Sequence, residues 1–244
     1  RMAIKIYFAS CKGGAGTTTC TVGVGLALAR RGERVLVVDG DEHYPAALTI
    51  AGCAGLQTYT LEEARKGACR VKQAVIEHPR SPNFFILPCA GCEDRKYIAA
   101  AVTEVESLFD YVLCDSAAPQ VCERAAVVCE PYPTGIKGAD ICLNHLRDMK
   151  YKDVGVIVNK VNGGLIYDNR IMPPKDIAAL LHAPLLGVIP EDLGMALGTM
   201  RADSVKAFKM TAARIAGDGK KIYQTTRTYL GAGGFIKRKM RGKI

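Results

Sequence analysis

A chain of 244 residues with 49% hydrophobic residues is long enough for one α/β domain with a substantial core, and too apolar to be disordered. No stretch approaches about 18 consecutive apolar residues and the N-terminus carries no signal-peptide pattern, which argues against membrane-spanning and secreted classes and for a soluble, cytoplasmic chain. The net charge of +9 is concentrated at one end: residues 201–244 hold twelve Lys/Arg against Asp203 and Asp218, so the first 200 residues are close to neutral.

Taken in order, and setting aside Arg1 before Met2 as a remnant, residues 3–9 read as an apolar strand and residues 19–31 as an apolar helix closed by Gly32. Between them lies Ser10-Cys11-Lys12-Gly13-Gly14-Ala15-Gly16-Thr17-Thr18-Thr19. Strand, glycine turn and helix start are in the order of a phosphate-binding loop, in which backbone N–H groups and the helix N-terminus face an anion. Thr18 is placed to hold Mg²⁺ through its hydroxyl. The common pattern G-x-x-x-x-G-K-[ST] has a Gly where this chain has Cys11 and a Lys where it has Thr17. The bland alternative is an ordinary glycine-rich turn.

A second strand, residues 34–39, ends in Asp39-Gly40-Asp41 at the edge where doubly wound folds place ligands. Short helices are expected over 61–66 and 71–77, a strand over 83–88 and a helix over 94–109. Residues 110–115 form a strand ending in Asp115, a carboxylate suited to Mg²⁺ through water because hard cations take oxygen ligands. The pattern continues with strands at 125–129, 154–159 and 185–189, helices at 136–149 and 174–181, and further helices to about residue 216. Alternating strands and helices predict a doubly wound, mostly parallel sheet with helices on both faces. One domain over 2–229 and a basic tail over 230–244 are expected.

Val158-Asn159-Lys160-Val161-Asn162 has the form of a base-recognition strand end. A guanine reader needs an acid where Asn162 stands, so adenine is favoured. Most of the ten cysteines, among them Cys20, Cys114, Cys129 and Cys142, fall in apolar elements and read as reduced core residues. Cys89-Ala-Gly-Cys92 has ligand spacing but supplies half of a four-ligand site, which a homodimer would complete; since no second pair follows in the chain, two plain cysteines in a loop after a strand is the favoured reading. No nucleic-acid module is identifiable, although the basic end could attract nucleic acid or anionic lipid.

The loop K-G-G-x-G with its early Lys12 resembles the deviant Walker A motif of the MinD/ParA ATPases, a branch of the P-loop NTPase fold. Val38-Asp39-Gly40-Asp41, the strand ending at Asp115, Gly187-Val-Ile-Pro-Glu-Asp192 and the tail Gly234-Phe-Ile-Lys-Arg-Lys-Met240 follow that family in order, most closely its septum-site members. The resemblance implies an ATP- and Mg²⁺-dependent homodimer, peripheral on the inner face of the membrane, that recruits cell-division regulators. It assigns Lys12 to the partner's nucleotide and Asp41 to the attacking water. It gives nucleotide contacts to Gly13, Gly14, Ala15, Gly16, Thr17, Thr18, Thr19, Asn159 and Pro190. Thr18, Asp39 and Asp115 are left to the metal, and Phe235, Ile236, Lys237, Arg238, Lys239 and Met240 to the membrane. Thr17 in the lysine position and a segment after Asp115 several residues short of the family's switch II region predict weak or absent hydrolysis. Thr17 is also similar to the TadZ/CpaE pilus-assembly relatives. A non-hydrolysing nucleotide scaffold and an iron–sulfur carrier dimer built on Cys89 and Cys92 are the remaining readings.

Overall fold

A computed structural model describes residues 2–41, 43–197 and 199–229. The tail residues singled out above, 235–240, lie outside these. In chain order the regular elements are β1 (Ile4–Ala9), α1 (Thr17–Ala29), β2 (Val35–Asp39), α2 (Ala46–Ala51), α3 (Leu61–Arg65), α4 (Val71–Ala74), β3 (Ile76–Glu77), β4 (Phe84–Pro88) and α5 (Arg95–Val105). They continue with β5 (Tyr111–Asp115), β6 (Arg124–Cys129), α6 (Pro133–Asp148), β7 (Asp153–Val161), α7 (Gly163–Tyr167), α8 (Pro174–Leu180), β8 (Leu185–Pro190) and α9 (Ala202–Ile215).

The strands form one eight-stranded sheet in the order β3-β4-β2-β5-β1-β6-β7-β8, parallel except for the edge pair β3 and β4. The chain leaves β1, passes through α1 to β2 two positions away, and later fills the gap with β5. After β5 the order runs to the other side of β1. The carboxyl ends of the strands at such a reversal are where doubly wound sheets bind ligands. β1, β2 and β5 are nearly all apolar because helices cover both faces of the sheet.

α1 lies on one face, with Cys20, Val24, Ala27 and Leu28 buried with β1, β2 and α9. It has no polar side to turn outward, which marks a helix packed on most of its circumference. Two glycines set its distance from its neighbours. A Cβ at Gly23 would fall 2.5 Å from the Phe208 ring of α9, and one at Gly25 2.7 Å from the Phe84 ring of β4. α3, α4 and α5 cover the opposite face with Leu61, Val71 and Val102, while α6 and α8 bury Leu143, Leu146 and Ile177 against β6, β7 and β8.

Three expectations are corrected. The helix expected over 71–77 stops at Ala74, because Val75 is extended and Ile76 pairs antiparallel with Ile86. The helix expected to reach 109 ends at Val105 and passes into one 3₁₀ turn over Glu106–Leu108. α1 starts at Thr17 rather than Thr19, since Gly16 with φ 87° makes the left-handed turn that begins it. The short helices α2 and α7 were not expected.

Candidate nucleotide site at the carboxyl ends of β1, β2 and β5

The loop after β1 is shaped by two glycines in the left-handed region, Gly14 (φ 79°) and Gly16 (φ 87°). Gly16 caps α1 without a side-chain hydrogen bond, and the first helical turn contains no acid. The N–H groups at the start of this 13-residue helix therefore have no carboxylate competing with an anion. Ser10 Oγ donates to Lys12 O at 3.1 Å and Thr17 Oγ1 donates to Ser10 Oγ at 3.0 Å. Thr17, in the place of the usual lysine, is thus turned back into the loop and brings no charge.

Two carboxylates meet beside this loop. Asp39 and Asp115 end the neighbouring strands β2 and β5 and are register partners, both almost fully buried. Asp39 accepts from Ala47 N at 2.8 Å and Asp41 N at 3.3 Å, while Asp115 accepts from the Thr21 hydroxyl at 3.5 Å and has the Thr18 hydroxyl beside it. Burial pushes the Asp39 carboxyl up to about 6 against those hydrogen bonds. It pushes Asp115 up to about 7, with Asp39 adding repulsion. Gly40 permits the approach: a Cβ there would lie 2.6 Å from Asp115 O. Two buried carboxylates and the Thr18 hydroxyl are hard oxygen donors, and they fit Mg²⁺ completed by water and phosphate. Asp41 is exposed, and its Oδ1 accepts from His43 N at 2.9 Å and Tyr44 N at 3.0 Å.

Beyond Asp115 the backbone turns sharply, with Ser116 (φ 55°) and Ala118 (φ 44°) both left-handed. A side chain in that region costs on the order of 1 kcal/mol, so this stretch after the carboxylate holds local strain.

On the other flank of the loop stands a group that sequence reasoning missed. Glu130 follows β6, is 7% exposed, and accepts from both Lys12 Nζ and Lys160 Nζ, the latter at 2.8 Å. Lys160 also donates to Gly14 O. Burial works to raise the Glu130 carboxyl, but the two ammoniums outweigh it and hold it below the usual range. The signal was present: β6 is an apolar strand followed directly by an acid, the pattern that picked out Asp39 and Asp115.

Asn159, buried at the end of β7, donates its amide N–H to Ala15 O at 2.9 Å, and a Cβ at Gly16 would strike that amide at 2.3 Å. Its side chain therefore braces the loop. Pro190 lines a cleft of about 530 Å³ between the ends of β7 and β8, together with Asn162, Glu191, Asp192 and Tyr223. Asp192 accepts from Ser204 Oγ at 2.6 Å, Arg201 N at 2.9 Å and Gly194 N at 3.0 Å, which ties the segment after β8 to the start of α9.

The model of the CobQ/CobB/MinD/ParA nucleotide binding domain matches residues 6–204, which include the loop, Asp39, Asp115 and Glu130. The chain belongs to this family. Within it, a MinD-type protein of Guillardia theta is 30% identical over 249 residues, covering 91% of this chain and 90% of that protein. The structure of MinD in a MinC:MinD cell division protein complex of Aquifex aeolicus superimposes with a TM-score of 0.82 at 26% identity, covering 90% of this chain and 98% of that one. The septum site-determining protein MinD of Pyrococcus horikoshii, complexed with Mg-ADP, has a TM-score of 0.75 at 24% identity over 88% and 96% of the two chains, a likeness of fold.

Cys89 and Cys92 are both fully buried in the core beneath α3 and α5. Among the described residues no group of three His, Cys, Asp or Glu converges as a metal cage. A cluster shared across a dimer needs its thiols at the surface, so the burial of this pair argues against the carrier reading.

Proposed function

We propose that this chain is a MinD-like regulator of septum placement that binds Mg-ATP and works as a homodimer on anionic membrane, with slow or absent hydrolysis. The observation that carries the reading is the open N-terminus of α1 facing a pair of buried carboxylates and the Thr18 hydroxyl. Backbone groups from Gly13 to Thr19 hold the phosphates, and Thr18, Asp39 and Asp115 hold the metal and its waters. Lys12 reaches the partner's nucleotide, Asp41 orients the attacking water, and Asn159 and Pro190 bound the base. The family membership supports a nucleotide ligand, and the MinC:MinD complex of the Aquifex relative supports a division regulator as partner.

Hydrolysis is weak in this reading because Thr17 supplies no charge to the transferring phosphoryl group. A preorganised charged group of that kind is commonly worth about 10²- to 10³-fold in rate. Membrane attachment is proposed for residues 235–244, where five basic residues add about 1 kcal/mol each near an anionic surface.

Titration with a fluorescent ATP analogue, with and without Mg²⁺, tests the core of the proposal. Saturable, Mg²⁺-strengthened binding is expected, with turnover well below that of lysine-bearing relatives, and Thr17→Lys raises turnover. An absence of saturable binding at high Mg²⁺ refutes it. Lys12→Ala abolishes ATP-dependent dimerisation in light scattering, and a chain ending at Gly234 no longer co-sediments with anionic vesicles.

A further inference from the structure

Of the ten cysteines, all within the described residues, Cys11 alone is exposed, and it sits where the common phosphate loop has a glycine. Cys142 is on the buried face of α6 with Ala139, Leu143 and Leu146. One helical turn before it, Gly138 faces the loop: a Cβ there would stand at ordinary contact distance, 3.5 Å from Lys12 Cβ and 3.8 Å from the Cys11 carbonyl carbon. Cys142 packs in one cluster with Ala9, two residues before Cys11, and with the Tyr7 side chain, and its thiol is a near neighbour of the Cys11 thiol. One exposed and one buried thiol, on two neighbouring elements, are arranged as an attacking and a resolving pair.

We propose that Cys11 and Cys142 are a reversible disulfide pair, closed by a hydroperoxide, that fastens the phosphate loop to α6. The Cys11 sulfur, as thiolate, attacks a peroxide oxygen and breaks the O–O bond, forming a sulfenic acid. The expelled hydroxide takes up the proton that Cys11 gave to solvent and becomes water. The Cys142 sulfur then attacks the Cys11 sulfur, the S–O bond breaks, and the hydroxide leaves as water with the Cys142 proton. Two thiols lose two electrons in all, and one hydrogen peroxide becomes two waters. Cys11 is exposed and meets the peroxide first, whereas Cys142 is buried, and that burial pushes its thiol up to about 12. A dithiol reverses the bond by exchange.

The bond would hold Cys11, and Lys12 beside it, against α6, so an oxidised chain loses affinity for nucleotide. That consequence rests on the proposed ATP binding; the bond itself does not. A second thiol contact, Cys114 with Cys122, is the natural competitor, but Cys114 is fully buried on β5 and Cys122 half-buried with its Sγ donating to Ala118 O.

The test treats the reduced full chain with hydrogen peroxide near equimolar amounts, alkylates the remaining thiols and maps peptides by mass spectrometry. Most molecules should carry a Cys11–Cys142 link that dithiothreitol removes. Cys142→Ala should instead give a Cys11 sulfenic acid trapped by dimedone, and Cys11→Ser should give no link to Cys142. Failure to find the link, or a main link between Cys114 and Cys122, overturns the proposal. With the link formed, affinity for the fluorescent ATP analogue should fall at least about tenfold. An unchanged affinity overturns the effect on the loop, whereas a reduced chain that binds no nucleotide overturns the ATP reading and leaves the mapped link to decide the pair.

Discussion

The two flanks of the loop handle buried charge in opposite ways. On the Asp39 and Asp115 side, two carboxylates face each other across neighbouring strands, with hydroxyls and backbone N–H groups as partners and repulsion between them. On the Glu130 side a single carboxylate is held between two ammoniums. The first flank is short of positive charge and the second is balanced to excess. A metal–phosphate ligand is divided in the same sense, cation at one end and anion at the other, so the electrostatics of the site correspond to the ligand inferred from the loop.

The largest expected effect breaks the acidic flank. Asp115→Asn should weaken nucleotide binding in Mg²⁺ by about a hundredfold and leave binding in EDTA little changed, as the same titration would show. It should also raise the melting temperature of the nucleotide-free chain in EDTA, more at pH 8 than at pH 5. The sign follows from the raised carboxyl. Between its ordinary range and about 7 the folded state binds more protons than the unfolded one, so the wild type loses stability as pH rises through that window. A variant less stable than wild type at pH 8 would mean that the carboxylate is not a cost to the fold.

A smaller effect sharpens the basic flank. Glu130→Gln leaves Lys12 and Lys160 near each other without their shared anion. With the two ammonium side chains 39% and 42% exposed, solvent screening limits the loss to about 1 kcal/mol. Urea midpoints should show that loss at low salt and a smaller one at high salt. An equal loss in both would point to packing instead of charge.

The smallest effect lies between the flanks. Thr17→Val removes one hydroxyl that donates to Ser10, a neutral pair worth about 0.5 to 1 kcal/mol in thermal unfolding. A larger loss would show that the loop depends on this bond for its shape.

The sheet, the loop and the strand-end carboxylates were legible in the sequence because each is a local pattern: an apolar run, a glycine turn, an acid at a strand end. Asp39 and Asp115 could be placed together since parallel strands of a wound sheet present their carboxyl ends to one edge. The Glu130 cluster was not legible as a cluster, because its ion pair with Lys12 joins residues 118 apart and exists only through the neighbouring positions of β1 and β6. Asn159 was singled out for its strand end, but the bond to Ala15 spans 144 residues and depends on the close approach at Gly16. Between Val71 and Glu77 the sequence pattern favoured a helix, and pairing with β4 took the last residues into the sheet.

The notch at Gly23 links the loop to the end of the fold. α1 carries the phosphate loop at its N-terminus, and the Phe208 ring of α9 fills the space where a side chain at Gly23 would stand. α9 in turn leads toward residue 229, the last described position before the basic tail. A displacement of α1 cannot be absorbed at this contact, because a close-packed ring against bare backbone has no slack. The two helices therefore behave as one mechanical part, and since the joint is steric, salt leaves it intact.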